Sequence, residues 1–220
     1  MNVSKCKAAT VEACILYSNK LSRWVASEIV KTVNEKKRVA VVRRLIEIAE
    51  ETWKLNNFSS SSAILYGLDH RSVQRLKLTW KAIPRRTVKI YEDLLEQISV
   101  KDNFEKLRAA KDNAKPPLVP YLAIYLKDIA LLELGNPTIV EGTNDVLNFS
   151  KFFMISNRFF EINALKLYKY NFRWCSVLSH WLKNIPLISE EQLFADSDFC
   201  EVSFCCIVLC LETKLYVGTY

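Results

Sequence analysis

Between Asn34 and Trp53 the apolar side chains fall at Val39, Val42, Ile46, Ala49 and Trp53. These alternating steps of about three and four put them on one face of a helix. Asn34 suits the position before that helix, because its side-chain oxygen can accept a bond from an amide that would otherwise lack a partner. Lys36, Lys37, Arg38, Arg43 and Arg44 lie largely off the apolar seam and are expected on a solvated face. Upstream, Val11, Cys14, Ile15, Leu21, Trp24, Val25 and Ile29 recur at a looser helical spacing, enough for one or two helices.

Asn56-Asn57-Phe58-Ser59 interrupts the pattern, and a short apolar helix is predicted from Ser60 to Leu68. Ser72 is placed to cap the next segment, where Val73, Leu76 and Trp80 share a face. Pro84 reads as a first-turn proline, with Val88, Tyr91, Leu94, Leu95 and Ile98 periodic behind it. Phe104, Leu107 and Ala110 mark one more short helix.

The stretch from Ala114 to Leu167 breaks the amphipathic rule. Lys115-Pro116-Pro117-Leu118-Val119-Pro120 leads into Tyr121 to Leu134, which is apolar on nearly all sides and so demands burial in its own core or in something else. Pro120 suits the first turn. Gly135, Asn136 and Pro137 are expected to end the helix, the Gly in a left-handed cap and the Pro unable to continue the ladder. A second arm carries Phe152, Phe153, Ile155, Phe159, Phe160, Ile162, Leu165 and Leu167. Beyond it, Val177, Leu178, Trp181 and Leu182 make a short amphipathic piece, and Ser189 with Gln192 has capping-box spacing. From Glu212 no helical pattern remains. The pattern predicts an all-α, irregular multi-helix domain with a protruding helical hairpin, and the four Gly and six Pro in 220 residues agree with few sheet turns.

Composition narrows the function only a little. The net charge of +7 would suit nucleic acid, an anionic membrane face or an acidic protein surface. No apolar core of signal-peptide length stands at the amino terminus, and the run from Phe204 to Leu211 is far shorter than the roughly 20 residues of a spanning helix. The seven cysteines form no even disulfide framework, so a reducing cytoplasm is expected. His70 and His180 lack metal-ligand neighbours, the Cys200 to Cys210 cluster lacks paired knuckles, and no phosphate-loop, dinucleotide, nucleophile-elbow or zinc-protease motif occurs. Glu50-Glu51 and Glu190-Glu191 point to different helix faces and form no dyad. The aromatics fall on apolar faces, which disfavours nucleic-acid binding.

Several ordered blocks carry more information than any single motif. Ser22-Arg23-Trp24-Val25-Ala26-Ser27-Glu28-Ile29, Leu55-Asn56-Asn57-Phe58, Val73-Gln74-Arg75-Leu76 with Trp80, and Lys115-Pro116-Pro117 with Val119-Pro120 come first. Tyr125-Leu126-Lys127-Asp128, Gly135-Asn136-Pro137 and Leu147-Asn148-Phe149-Ser150-Lys151 follow. Together they resemble the RasGEF catalytic domain over roughly Val11 to Leu167, with weaker similarity to about Glu201. The resemblance implies a RasGEF domain over 1–203, with 204–220 as a divergent Cys-rich tail. It also implies nucleotide exchange on a Ras-family small GTPase, without a cofactor, a metal or nucleic acid, and with membrane association only through the lipid-anchored GTPase.

By the same resemblance, Lys127, Ala130 and Leu134 form the working face of the hairpin. Tyr121, Ser62, Asp69, Gln74 and Glu133 are partner contacts, and Asn56, Asn57, Phe58, Pro117, Gly135, Asn136, Asn148 and Phe149 are framework residues. The departures are specific. Ala130 replaces a side chain that is often larger, Leu134 stands where the family commonly has Glu, Asp69 where Asn is common, and Phe152 and Phe153 where basic residues are usual. Adjacent helix positions differ by about 100°, so Glu133 is a poor geometric substitute for a carboxylate at 134. The family normally has helices before the segment matching Val11, so the chain reads as a piece of a longer domain. A binding protein that docks without expelling nucleotide is the alternative reading.

Overall fold

The computed structural model describes residues 9–143 and 145–201. Among them, eleven α-helices run in order: α1 Ala9–Val30, α2 Glu35–Lys54, α3 Phe58–Leu68, α4 Arg71–Gln74, α5 Lys77–Ala82, α6 Arg85–Gln97, α7 Glu105–Asn113, α8 Leu122–Gly135, α9 Phe149–Leu165, α10 Ser176–Lys183 and α11 Glu190–Cys200. A 3₁₀ turn at Lys101–Asn103 precedes α7, and the only β pairing among the described residues consists of two isolated bridges. The expected tail at 204–220 lies outside the described residues, while Cys14, Cys175 and Cys200 are free thiols. No helix among the described residues is long and apolar enough to cross a membrane.

The main core is the packing of α1, α2 and α3. Residues 10–30 form one helix rather than two, since nothing between Thr10 and Val30 breaks the ladder. The Asn34 side chain accepts from the Lys37 amide at 3.0 Å and starts α2, which buries Val42, Leu45, Ile46 and Ala49. Asn57 starts α3 in the same way through the Ser60 amide, so the helix opens at Phe58, two residues earlier than the apolar run suggests. α3 is buried along most of its length, and Gly67 permits its close approach to α1. A Cβ there would lie 2.4 Å from the Ser22 carbonyl oxygen and 2.6 Å from Val25 Cβ.

Arg38 corrects the expectation of a solvated basic face. Only 1% of the residue is exposed, whereas Lys36, Lys37, Arg43 and Arg44 do face solvent. Its guanidinium donates to Thr79 Oγ1 at 2.8 Å and to the Thr32 and Val33 carbonyls at 2.9 and 2.8 Å, and it pairs with Glu201 at 3.4 Å. Glu201 also accepts from the Leu78 and Thr79 amides, both at 2.9 Å, and from the Thr79 hydroxyl at 2.6 Å. The buried charge is therefore tolerated because every direction around it is filled.

Two capping expectations also change. His70, not Ser72, caps α4, its Nδ1 accepting from the Ser72 amide at 3.3 Å. Ser72 is inside the turn, and its carbonyl accepts from the Ser197 hydroxyl as α11 docks. The Ser189 side chain does cap α11 through the Gln192 amide, but the Gln192 side chain turns forward to Asp196 instead of closing the box. Arg23 and His70 both reach Glu190 at 3.1 Å, tying α11 to α1 and α4.

Candidate functional site

The hairpin stands on a second, smaller apolar cluster of Phe58, Phe104, Leu107 and Ile124, with Trp53 and Tyr121 packed against it. Asn56 adopts a left-handed backbone (φ 58°), which asparagine accepts more readily than most residues. That turn lets its Nδ2 donate to the Lys115 carbonyl at 3.0 Å while its own carbonyl accepts from the Val119 amide at 3.0 Å. The Ser59 amide donates back to the Val119 carbonyl, and Pro117 is half-buried in this entry segment. Asn56, Asn57 and the buried Phe58 thus fix where the chain enters α8.

Pro120 lies outside the helix, with Tyr121 at the N-cap position, so the expected first-turn proline is displaced by two residues. On α8 only Ile124 and Tyr125 are buried. The two arms pack mainly on each other, and Asp128 ties α8 to α7 through a fork of two bonds from Arg108, at 2.9 and 2.6 Å. The Arg108 bonds hold the Asp128 carboxyl below the usual carboxylate range, against the upward push of burial. Lys111 adds a contact from α7, its Nζ 5.4 Å from the Tyr125 ring centre. The all-round apolarity of α8 is therefore not core burial. Leu131 and Leu134 face outward, the latter 84% exposed.

Lys127, Ala130 and Leu134 are all exposed. At about 100° per residue they fall within one arc of about 60°, whose Lys127 edge borders the Ile124 side that anchors the helix. Lys127 lies with its Nζ 5.4 Å from the centre of the Phe104 ring, so its charge rests on an aromatic face at the hairpin root. Glu133 points elsewhere: its carboxylate is 2.9 Å from Lys151 Nζ, which also donates to the Glu133 carbonyl and to Thr138 Oγ1.

Lys151 is the tip residue that pattern reasoning missed. Its side chain is almost wholly buried between the two arms, satisfying the end of α8 from the start of α9. Its position three residues after Asn148 is the available signal, because Asn148 Oδ1 caps α9 through the Lys151 amide while Asn148 Nδ2 donates to the Pro137 carbonyl. Gly135 is the last residue of α8 but takes no left-handed conformation. Asn136 ends the helix in extended backbone, its Nδ2 donating to the Leu132 carbonyl. Phe149, expected in the framework, is 79% exposed because it opens α9 on the face away from α8.

Below the hairpin, the aromatic rings of Tyr121 and Tyr66 lie 6.0 Å apart. Burial, with Tyr121 and Asp69 nearby, pushes the Tyr66 phenol above its ordinary range. Asp69 is exposed and accepts from Tyr91 Oη at 3.4 Å, while Gln74 Nε2 is used internally, donating to Tyr91 Oη and the Leu68 carbonyl. Ser62 does not belong to this surface. It is fully buried and its hydroxyl has no partner, so the expectation of a partner contact there is corrected. Among the described residues, no group of three or more His, Cys, Asp or Glu is placed to hold a metal ion.

An all-helical domain that presents a two-helix hairpin with one exposed face is the class this geometry defines. Residues 1–153 match the family model for the RasGEF domain. Among curated proteins, the chain is 34% identical over 205 residues to Ras guanine nucleotide exchange factor M of Dictyostelium discoideum, covering 90% of this chain and 22% of that protein. It is 35% identical to factor I and 34% to factor J of the same organism, each over 180 residues, 81% of this chain and 22% of the relative. The chain belongs to the RasGEF domain family. It spans about a fifth of the length of these relatives.

Proposed function

We propose that this chain promotes GDP release from a Ras-family small GTPase, with Lys127, Ala130 and Leu134 of the hairpin acting beside the nucleotide site. The observation that carries the reading is the exposed arc of these three residues on the hairpin helix of a RasGEF domain. GDP is held on such GTPases largely through phosphate and Mg²⁺, so a catalyst need only bind better to the form in which those contacts are broken. Interface contacts offset that loss, and incoming nucleotide then displaces the exchange factor by mass action. No side chain makes or breaks a covalent bond, and the work is done in the cytoplasm. Tyr121 and Asp69 extend the contact at the hairpin root.

One observation favours a second reading, docking without exchange. Leu134 offers no carboxylate, and that of Glu133 is held by Lys151. Release of a fluorescent GDP analogue from purified Ras, Rap and Ral proteins separates the two. Accelerated release is the expected result. Binding without acceleration supports docking alone, and neither binding nor acceleration overturns both.

A further inference from the structure

Between Glu161 and Glu190 there is no acidic residue, while Lys166, Lys169, Arg173 and Lys183 all occur there. All four are exposed, and none makes an ion pair among the described residues. The same stretch turns out Leu167, Tyr168, Phe172, Trp174, Val177 and Leu178, with Trp174 74% and Val177 78% exposed. Tyr17, Phe172, Trp174 and Leu178, together with Arg173 and Lys183, line a shallow groove of about 450 Å³. Trp181, on the same helix and 39% exposed, packs edge-on against Trp24 at 5.1 Å and joins α10 to α1.

We infer that this surface is a direct contact site for an anionic lipid bilayer, formed by residues 166–183. Trp, Tyr and Phe with short aliphatic neighbours suit the boundary between headgroups and acyl chains, and unpaired lysine and arginine suit the phosphates and carboxylates above it. A carboxylate anywhere in the stretch would oppose that surface, and the sequence has none. A folded acidic partner fits less well. Residues 168–175 have no regular secondary structure, so their apolar groups offer no helical or strand register for a partner to match. A fluid surface requires none. The contact is this chain's own, in place of the purely indirect association expected from the sequence, and it does not rest on the exchange reading.

Sedimentation of the full chain with vesicles of phosphatidylcholine, alone or mixed with phosphatidylserine, tests it. Binding is expected only with phosphatidylserine, and weaker as salt is raised. Lys169→Ala and Lys183→Ala should each weaken it about fivefold, the factor equivalent to about 1 kcal/mol per basic residue at such a surface. Trp174→Ser should weaken binding at every salt concentration, and an unchanged thermal melt for each exposed-site variant separates lost contact from lost fold. Equal binding to neutral vesicles, or variants that bind like the parent, would overturn the inference. So would retention on immobilised polyglutamate without vesicle binding, which would assign the surface to an acidic protein. Concentration-dependent dimerisation abolished by Trp174→Ser, again without vesicle binding, would assign it to a second copy.

Discussion

Asp128→Ala should loosen the hairpin without loosening the core. Arg108 donates two charge-assisted bonds to this carboxylate, and the side chains are 27% and 15% exposed. Bonds of this type contribute about 1.5–3 kcal/mol when well buried. Discounted for partial solvent screening, the pair is worth roughly 2 kcal/mol, equivalent to about a 30-fold change in a local opening equilibrium. Native-state amide exchange read by mass spectrometry should therefore show α8 exchanging about 30-fold faster, with α2 and α3 unchanged. The effect has a pH signature. Because Arg108 holds the folded-state value of Asp128 below the ordinary one, the stabilisation is present above the unfolded value of about 3.9 and is lost as pH falls through the folded value. Parent and variant should converge in acid. Equal exchange in α8, or faster exchange spread through α2 and α3, would refute the idea that the Arg108–Asp128 pair is a main anchor of the hairpin.

Gly67→Ala should cost about 3 kcal/mol in urea unfolding, since its methyl would meet the Ser22 carbonyl and Val25 and force α1 from α3; a neutral substitution would contradict that close approach. Burial raises the Glu201 carboxyl, but bonds from Thr79, the Leu78 and Thr79 amides and Arg38 more than offset it and leave it lowered. Its contribution is thus present above about 4.3 and lost as pH falls through the folded value, so Glu201→Gln should lose about 1–2 kcal/mol near neutrality and nothing in strong acid. Denaturant midpoints at the two pH values check this. Leu134→Glu, at a site where folding is indifferent, should raise GDP release about tenfold, equivalent to about 1.4 kcal/mol of added stabilisation of the open GTPase. An unchanged or slower rate would count against the role given to Leu134.

Helix periodicity was legible wherever apolar positions faced a neighbouring helix, as with Val42, Ile46 and Ala49. It left α8 open between core and partner, because an all-apolar helix and a helix waiting for a partner have the same pattern. Arg38 was unreadable for a related reason, and Lys151 was legible only through its spacing from Asn148. A cation's burial depends on acceptors that arrive from far along the chain, and composition assigns every such residue to solvent. Ser62 was carried over as a contact from resemblance alone, and only packing reveals that α1 and α2 cover α3 there. Caps shifted by one or two residues, at His70 and Tyr121, because several neighbouring groups can fill the same role.

Arg38 and Glu201 are separated by 163 residues. At about 5–20 residues per second of synthesis, some 8–30 s pass between the making of the guanidinium and of its carboxylate. During that interval α2 and α3 can already fold against α1, while the arginine in the first turn of α2 holds only carbonyls and a hydroxyl. On the ribosome, the apolar packing of α1, α2 and α3 can form before the buried cation of α2 has its carboxylate.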